Sequence, residues 1–225
     1  PRHRLSPASV WLLIAMALCS ACSNTDRFDI PGAGEAFCVP HPNIVNAPPW
    51  VDATMATSSG GFAFRGCGDS GGKNCAFPAD LESGTVGPLN QFAGWSWKNF
   101  PDGAHYRDVT QQSIADQTYR LYPDTGSDSR ILAVPLTGYR TATLFWRIAG
   151  TGDPRMTDDA ELLASCEGVS PGGPGRDETA YQCSRSTRRN NVAISYSFQN
   201  GAITTQWVER LDQGVEYGLR HWRCH

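Results

Sequence analysis

Residues 191–222 read NVAISYSFQNGAITTQWVERLDQGVEYGLRHW, and two different periodicities meet within them. Val192, Ile194, Tyr196 and Phe198 alternate with small or polar residues, the period-two pattern of a half-buried strand. Trp207, Leu211, Val215, Leu219 and Trp222 then recur at steps of four, four, four and three, one face of an amphipathic helix. Gly214 and Gly218 weaken that helix, and Asn200-Gly201 offers a tight hairpin turn as the rival. The helix is favoured because its apolar face runs through four turns.

Working back from this pair, alternating patterns at 61–65, 92–98, 117–122, 130–134, 142–148 and 179–183 predict further strands, separated by Gly, Pro, Asn and Asp. Asp158 with Glu161 three residues on suggests a capping box and a short helix to Ser165. Polar residues 23–37, with Pro31, Gly32 and Gly34, predict a flexible tether, and 38–225 a single domain. The fold class expected is α+β: an antiparallel sheet packed against a long C-terminal helix, disulfide-bonded.

The first 22 residues have the layout of an export signal. Arg2 and Arg4 precede the apolar run VWLLIAMAL at 10–18, which is shorter than the roughly 20 residues a membrane span needs. Small residues then lead to Cys22. The run LCSAC resembles the lipobox of bacterial lipoproteins, and by that resemblance Cys22 is the lipidated first residue of the mature chain. Ser23 and Asn24 in place of aspartate imply an outer-membrane address. Cys19 stands where the family prefers leucine, so a plain cleavage after Ala21 or Ala17, giving a soluble periplasmic protein, is the alternative.

Six cysteines follow: Cys38, Cys67, Cys75, Cys166, Cys183 and Cys224. An even number in an oxidising compartment predicts three disulfides. Sequence proximity suggests Cys67–Cys75 and Cys166–Cys183, leaving Cys38–Cys224 to join the two ends. Zinc is disfavoured, because no CxxC pair exists after the signal and His41, His105, His221 and His225 are scattered. No cofactor or metal is expected.

Without the signal, 17 of the 19 Lys and Arg residues face all 22 acidic ones, a net charge of −5. Nucleic-acid binding needs clustered cations and is disfavoured. Arg185, Arg188 and Arg189 form the one cluster, expected on a solvated loop.

GDSGG at 68–72 matches the nucleophile segment of trypsin-like serine proteases. In that family the serine is activated by a histidine from a preceding β-barrel, oriented by an aspartate. Only His41 lies between the signal and Ser70, in too short a stretch for a barrel, and Lys73 replaces the family's proline. The segment sits between Cys67 and Cys75, where a glycine-rich disulfide loop accounts for it, and it is judged a decoy; no catalytic residue is assigned. Trp95 and Trp97, with Tyr119, Tyr139, Phe145 and Trp146, could form an aromatic platform for sugar rings, though core packing uses the same residues. Asp102, His105 and Asp108 could pair as acid and base, but a polar loop is the favoured explanation.

GEAFCVPHPNIVNAPPWV at 34–51, GFAFRGCG at 61–68, and YSF followed by W-x3-L-x3-V resemble exported lipoproteins of Gram-negative bacteria, including immunity proteins against type VI secretion lipase effectors. That resemblance implies a periplasmic inhibitor that occludes a secreted effector through a large complementary surface. It would touch the membrane only through the lipid anchor. An envelope-associated carbohydrate-binding or structural lipoprotein, or a secreted hydrolase whose site is unrecognised, are the alternatives.

Overall fold

The structure is a computed structural model, described over residues 25–44, 60–66, 76–89, 104–125, 127–136, 142–167, 181–189, 191–200 and 203–224. In chain order its strands are β1 (Thr25–Ile30), β2 (Glu35–Pro40), β3 (Phe62–Arg65), β4 (Leu81–Pro88), β5 (Arg120–Pro123), β6 (Ser129–Leu136), β7 (Ala142–Ala149), β8 (Glu161–Glu167), β9 (Tyr181–Arg189) and β10 (Val192–Asn200). Helix α1 (Ala104–Ala115) lies between β4 and β5, and α2 (Thr205–His221) follows β10.

Eight strands form one antiparallel sheet in the order β3-β4-β10-β9-β8-β7-β6-β5. From β5 to β10 each strand pairs with the next, and β4 then adds to the free side of β10. This is the α+β arrangement expected, with the C-terminal helix packed on the sheet.

Alternation divides the sheet into two faces, as the pleat requires. Ile131, Ala133, Phe145, Ile194, Tyr196 and Phe198 join a core completed by Val208, Leu211, Val215 and Leu219 of α2. Each of those buried helix side chains contributes about 1.5–3 kcal/mol of hydrophobic stabilisation. Leu132, Val134, Leu144, Trp146 and Ile148 point the other way, toward Tyr106 and Ile114 of α1.

The two glycines of α2 are contact points. A Cβ on Gly218 would lie 2.5 Å from the Phe77 ring, and one on Gly214 would collide with Pro78. They let segment 77–78 press against the helix, which is why they do not break it. Gly84 has the same role in β4, where a Cβ would meet the Phe64 ring at 2.5 Å.

Residues 23–37 do not form a tether over their described part. β1 and β2 pair as a hairpin from Thr25↔Pro40 to Ile30↔Glu35, and Ile30, Phe37 and Val39 enter the core. The Pro31–Gly34 segment is the turn, with Gly32 and Gly34 at positive φ.

The expected helix at 158–165 is also corrected. Asp158 and Asp159 make a turn, and 161–167 form strand β8 between β7 and β9. Arg107 of α1 fixes that turn by donating to the carbonyls of Thr157 and Ala160, at 2.9 and 2.8 Å. Tertiary pairing outweighs the local capping signal here. Helix α1 and strand β4 are additions that the periodicities did not signal.

Cys166 and Cys183 face each other in the β8–β9 register and are bonded. Cys38 and Cys224 are bonded across 186 residues of chain. Around that bridge, the Cys224 N–H donates to Ala36 O at 2.9 Å and Arg223 pairs with Glu35 at 3.0 Å, so the chain end is stitched to β2. Cys67, Cys75 and the strand expected at 92–98 lie outside the described residues.

Candidate functional site

Helix α2 is the best-supported candidate, because polar groups hold it at its start and middle, and the Cys38–Cys224 bridge holds the residues just past its end. At the start, the Thr204 side chain accepts the Trp207 N–H at 3.2 Å. A second cap comes from Asp124, whose carboxylate accepts the Thr205 N–H at 3.1 Å and the Ser129 hydroxyl at 2.6 Å. Burial works against the Asp124 charge, but the hydrogen bonds from Ser129 and Thr205 outweigh it and hold the carboxyl below its ordinary range. The positive end of the helix dipole favours the same ionised form.

Under the middle of α2 lies a buried charge cluster centred on Arg185. Arg185 on β9 and Tyr196 on β10 are cross-strand partners facing the helix, and Asp212 descends between them. The guanidinium donates from Nε to both Asp212 oxygens at 3.1 Å and from Nη2 to Asp212 Oδ2 at 2.7 Å. Nη2 also reaches Glu161 Oε1 at 2.9 Å, while Nη1 donates to the carbonyls of Leu162 and Leu163 at 2.9 and 3.1 Å. Tyr196 donates its hydroxyl to Asp212 Oδ1.

The local geometry explains why an arginine stands there. β8 and β9 pair only over Ser165–Glu167, and the register between β7 and β8 slips beside Trp146. The Leu162 and Leu163 carbonyls lie beyond that short ladder, and the Arg185 fork satisfies them instead. The side chain of Arg185 is 6% exposed and that of Asp212 17%, so the pair is shielded from water. Burial disfavours the Arg185 cation, but Asp212 and Glu161 raise its pKa above the ordinary value. Burial and the adjacent Asp212 carboxylate push the Tyr196 phenol well above its ordinary value. The cluster extends outward through Arg147, 2.9 Å from Glu161 and 3.9 Å from Glu209.

With these partners engaged, the cluster's chemistry is that of a clamp between sheet and helix. Arg185 is therefore not on a solvated loop. It shares a strand face with Cys183, and Arg189 on the same strand pairs with Glu216 of α2.

The outward side of α2 carries Arg210, Gln213, Tyr217, Arg220 and His221, all exposed. Tyr217 is 51% exposed and is the one exposed large hydrophobic side chain among the described residues. His221 packs its ring 4.3 Å from that of Tyr217, and its Nδ1 lies 2.8 Å from the Tyr217 carbonyl oxygen, where it donates.

The other sequence candidates fare differently. The aromatic platform fails where it is described: Trp146 is 1% exposed beneath α1, with Arg107 over its ring, and Phe145 is buried on the opposite face of the sheet. Trp95, Trp97, Tyr139, Asp102, Cys22 and the GDSGG segment lie outside the described residues. His105 falls on α1, as does the exposed Asp108. Among the described residues no group of three or more His, Cys, Asp or Glu is placed to hold a metal ion. None of the described helices is long and apolar enough to cross a membrane. Comparison with known proteins finds no matching family model, curated protein or solved structure.

Proposed function

We propose that this chain is an exported bacterial envelope protein, lipid-anchored through Cys22 or soluble in the periplasm, that binds a secreted effector enzyme and blocks it as an immunity protein. The export half is supported by the signal layout and by two disulfides, bonds that persist in oxidising compartments.

The binding half rests on one observation. Helix α2 is fixed by two caps, by the Arg185–Asp212 clamp and by the nearby Cys38–Cys224 bridge, and it presents Tyr217 outward. A preformed surface with an exposed aromatic anchor binds protein with little ordering cost. The sugar-binding alternative draws on exposed tryptophans, and the described Trp146 is buried.

The test is affinity capture. The exported protein, purified from an oxidising periplasm, is used as bait against exported proteins of its own and neighbouring cells, with mass spectrometry after a high-salt wash. Stoichiometric retention of one exported enzyme is the expected result; retention of peptidoglycan or polysaccharide without any protein would overturn the proposal.

A further inference from the structure

The charges along α2 are unevenly used. Asp212 is held by Arg185 and Glu216 pairs with Arg189, while Glu209 stays exposed, 3.9 Å from Arg147. Arg210 and Arg220 are exposed and have no ion pair among the described residues. They flank Tyr217 at spacings of seven and three, a stripe roughly 15 Å long at about 1.5 Å per residue. A net-negative chain thus offers an aromatic-centred stripe with a cation at each end, on a helix held by its caps and by the Arg185–Asp212 pair.

Resting on the proposed function, we infer that this stripe is the docking surface, and that its partner is a protein presenting acidic side chains around a pocket for Tyr217. Arginine and tyrosine are the residue types that dominate binding energy at protein interfaces. The tilted contact of His221 with the Tyr217 ring restrains it before any partner arrives, which lowers the entropy lost on docking. A membrane surface fits less well: an interfacial helix inserts its apolar face, and the apolar face of α2 is buried in the core. Two arginines are also too few for a nucleic-acid backbone.

The test pans random dodecapeptides displayed on phage against the exported full chain at low salt. Enriched peptides should be rich in Asp and Glu. Their affinity should fall at least tenfold in Tyr217→Ala and in the double variant Arg210→Glu/Arg220→Glu, and be unchanged in Arg120→Glu on the far edge strand. All four positions tested are exposed, and an unchanged melting temperature shows that each variant is folded. Enrichment of neutral or basic peptides, no enrichment, or binding that survives both helix variants would overturn the inference. So would retention on phosphatidylglycerol vesicles, lost in the double variant, without acidic-peptide binding. An enzyme captured equally well by wild type and Tyr217→Ala removes this surface alone, whereas capture of glycan without protein removes the proposed function.

Discussion

Arg185 and Asp212 meet through three hydrogen bonds of 2.7–3.1 Å, joining the middle of the sheet to the middle of α2. The contact shields both groups from water, so removing Arg185 takes the cation from Asp212 and leaves it with the Tyr196 hydroxyl.

Arg185→Met should therefore destabilise the fold by about 3–5 kcal/mol, because Asp212 loses its cation under the helix and two carbonyls of β8 lose their donor. The double variant Arg185→Met/Asp212→Leu should be less destabilised than the sum of the singles. Urea denaturation of all three measures the coupling; additive losses would mean that the pair is not a unit.

Asp124 makes stability depend on acid. Its carboxyl pKa is depressed in the folded state, so its contribution is full above the unfolded value of about 3.9 and is lost as pH falls through the lower, folded value. Asp124→Ala should cost about 0.5–2 kcal/mol at neutral pH and flatten the fall in stability below pH 4. Thermal melts between pH 2 and pH 7 check this, and parallel curves for both proteins would contradict it.

Gly218→Ala should destabilise although alanine is the better helix former. The gain in helix propensity is about 1 kcal/mol, while the methyl would meet the Phe77 ring at 2.5 Å and force it to move. Overpacking of this kind costs about 1–3 kcal/mol, so the net change should be unfavourable or near zero. A rise in melting temperature would show that Phe77 yields freely.

Removing the Cys38–Cys224 bridge by Cys38→Ser/Cys224→Ser should cost about 2–5 kcal/mol, as it frees a chain end joined across 186 residues. The melting temperature should drop, and hydrogen exchange should quicken first in β1, β2 and the last turn of α2. Uniform quickening across the sheet would contradict a local stitch.

The legible part of the fold was the part whose burial follows a simple period. β10 and α2 bury every second and every third or fourth residue, and their pattern survives in the sequence. Helix α1 is not legible in the sequence because its most buried described positions are Thr110 and Ser113, which carry little hydrophobic signal. β4 was hidden by Gly84, Gly87 and Pro88, residues that read as a turn although Gly84 is there to admit Phe64.

A short hairpin and a polar linker share Pro and Gly, so 23–37 reads as a tether in sequence although β1 and β2 pair within 25–40. Two neighbouring arginines make Arg185 read as part of a solvated run, although its side chain is buried. Its strand parity with Cys183, and an aspartate lodged between Leu211 and Val215, were the available clues. Cys166–Cys183 follows the proximity pairing, and Cys38–Cys224 is the pair that it left over.

The most direct test of the binding account is a titration. The enzyme retained in affinity capture is assayed against increasing amounts of the purified protein. The account predicts that activity falls linearly and is abolished at one equivalent; activity that persists undiminished at saturating protein would contradict it.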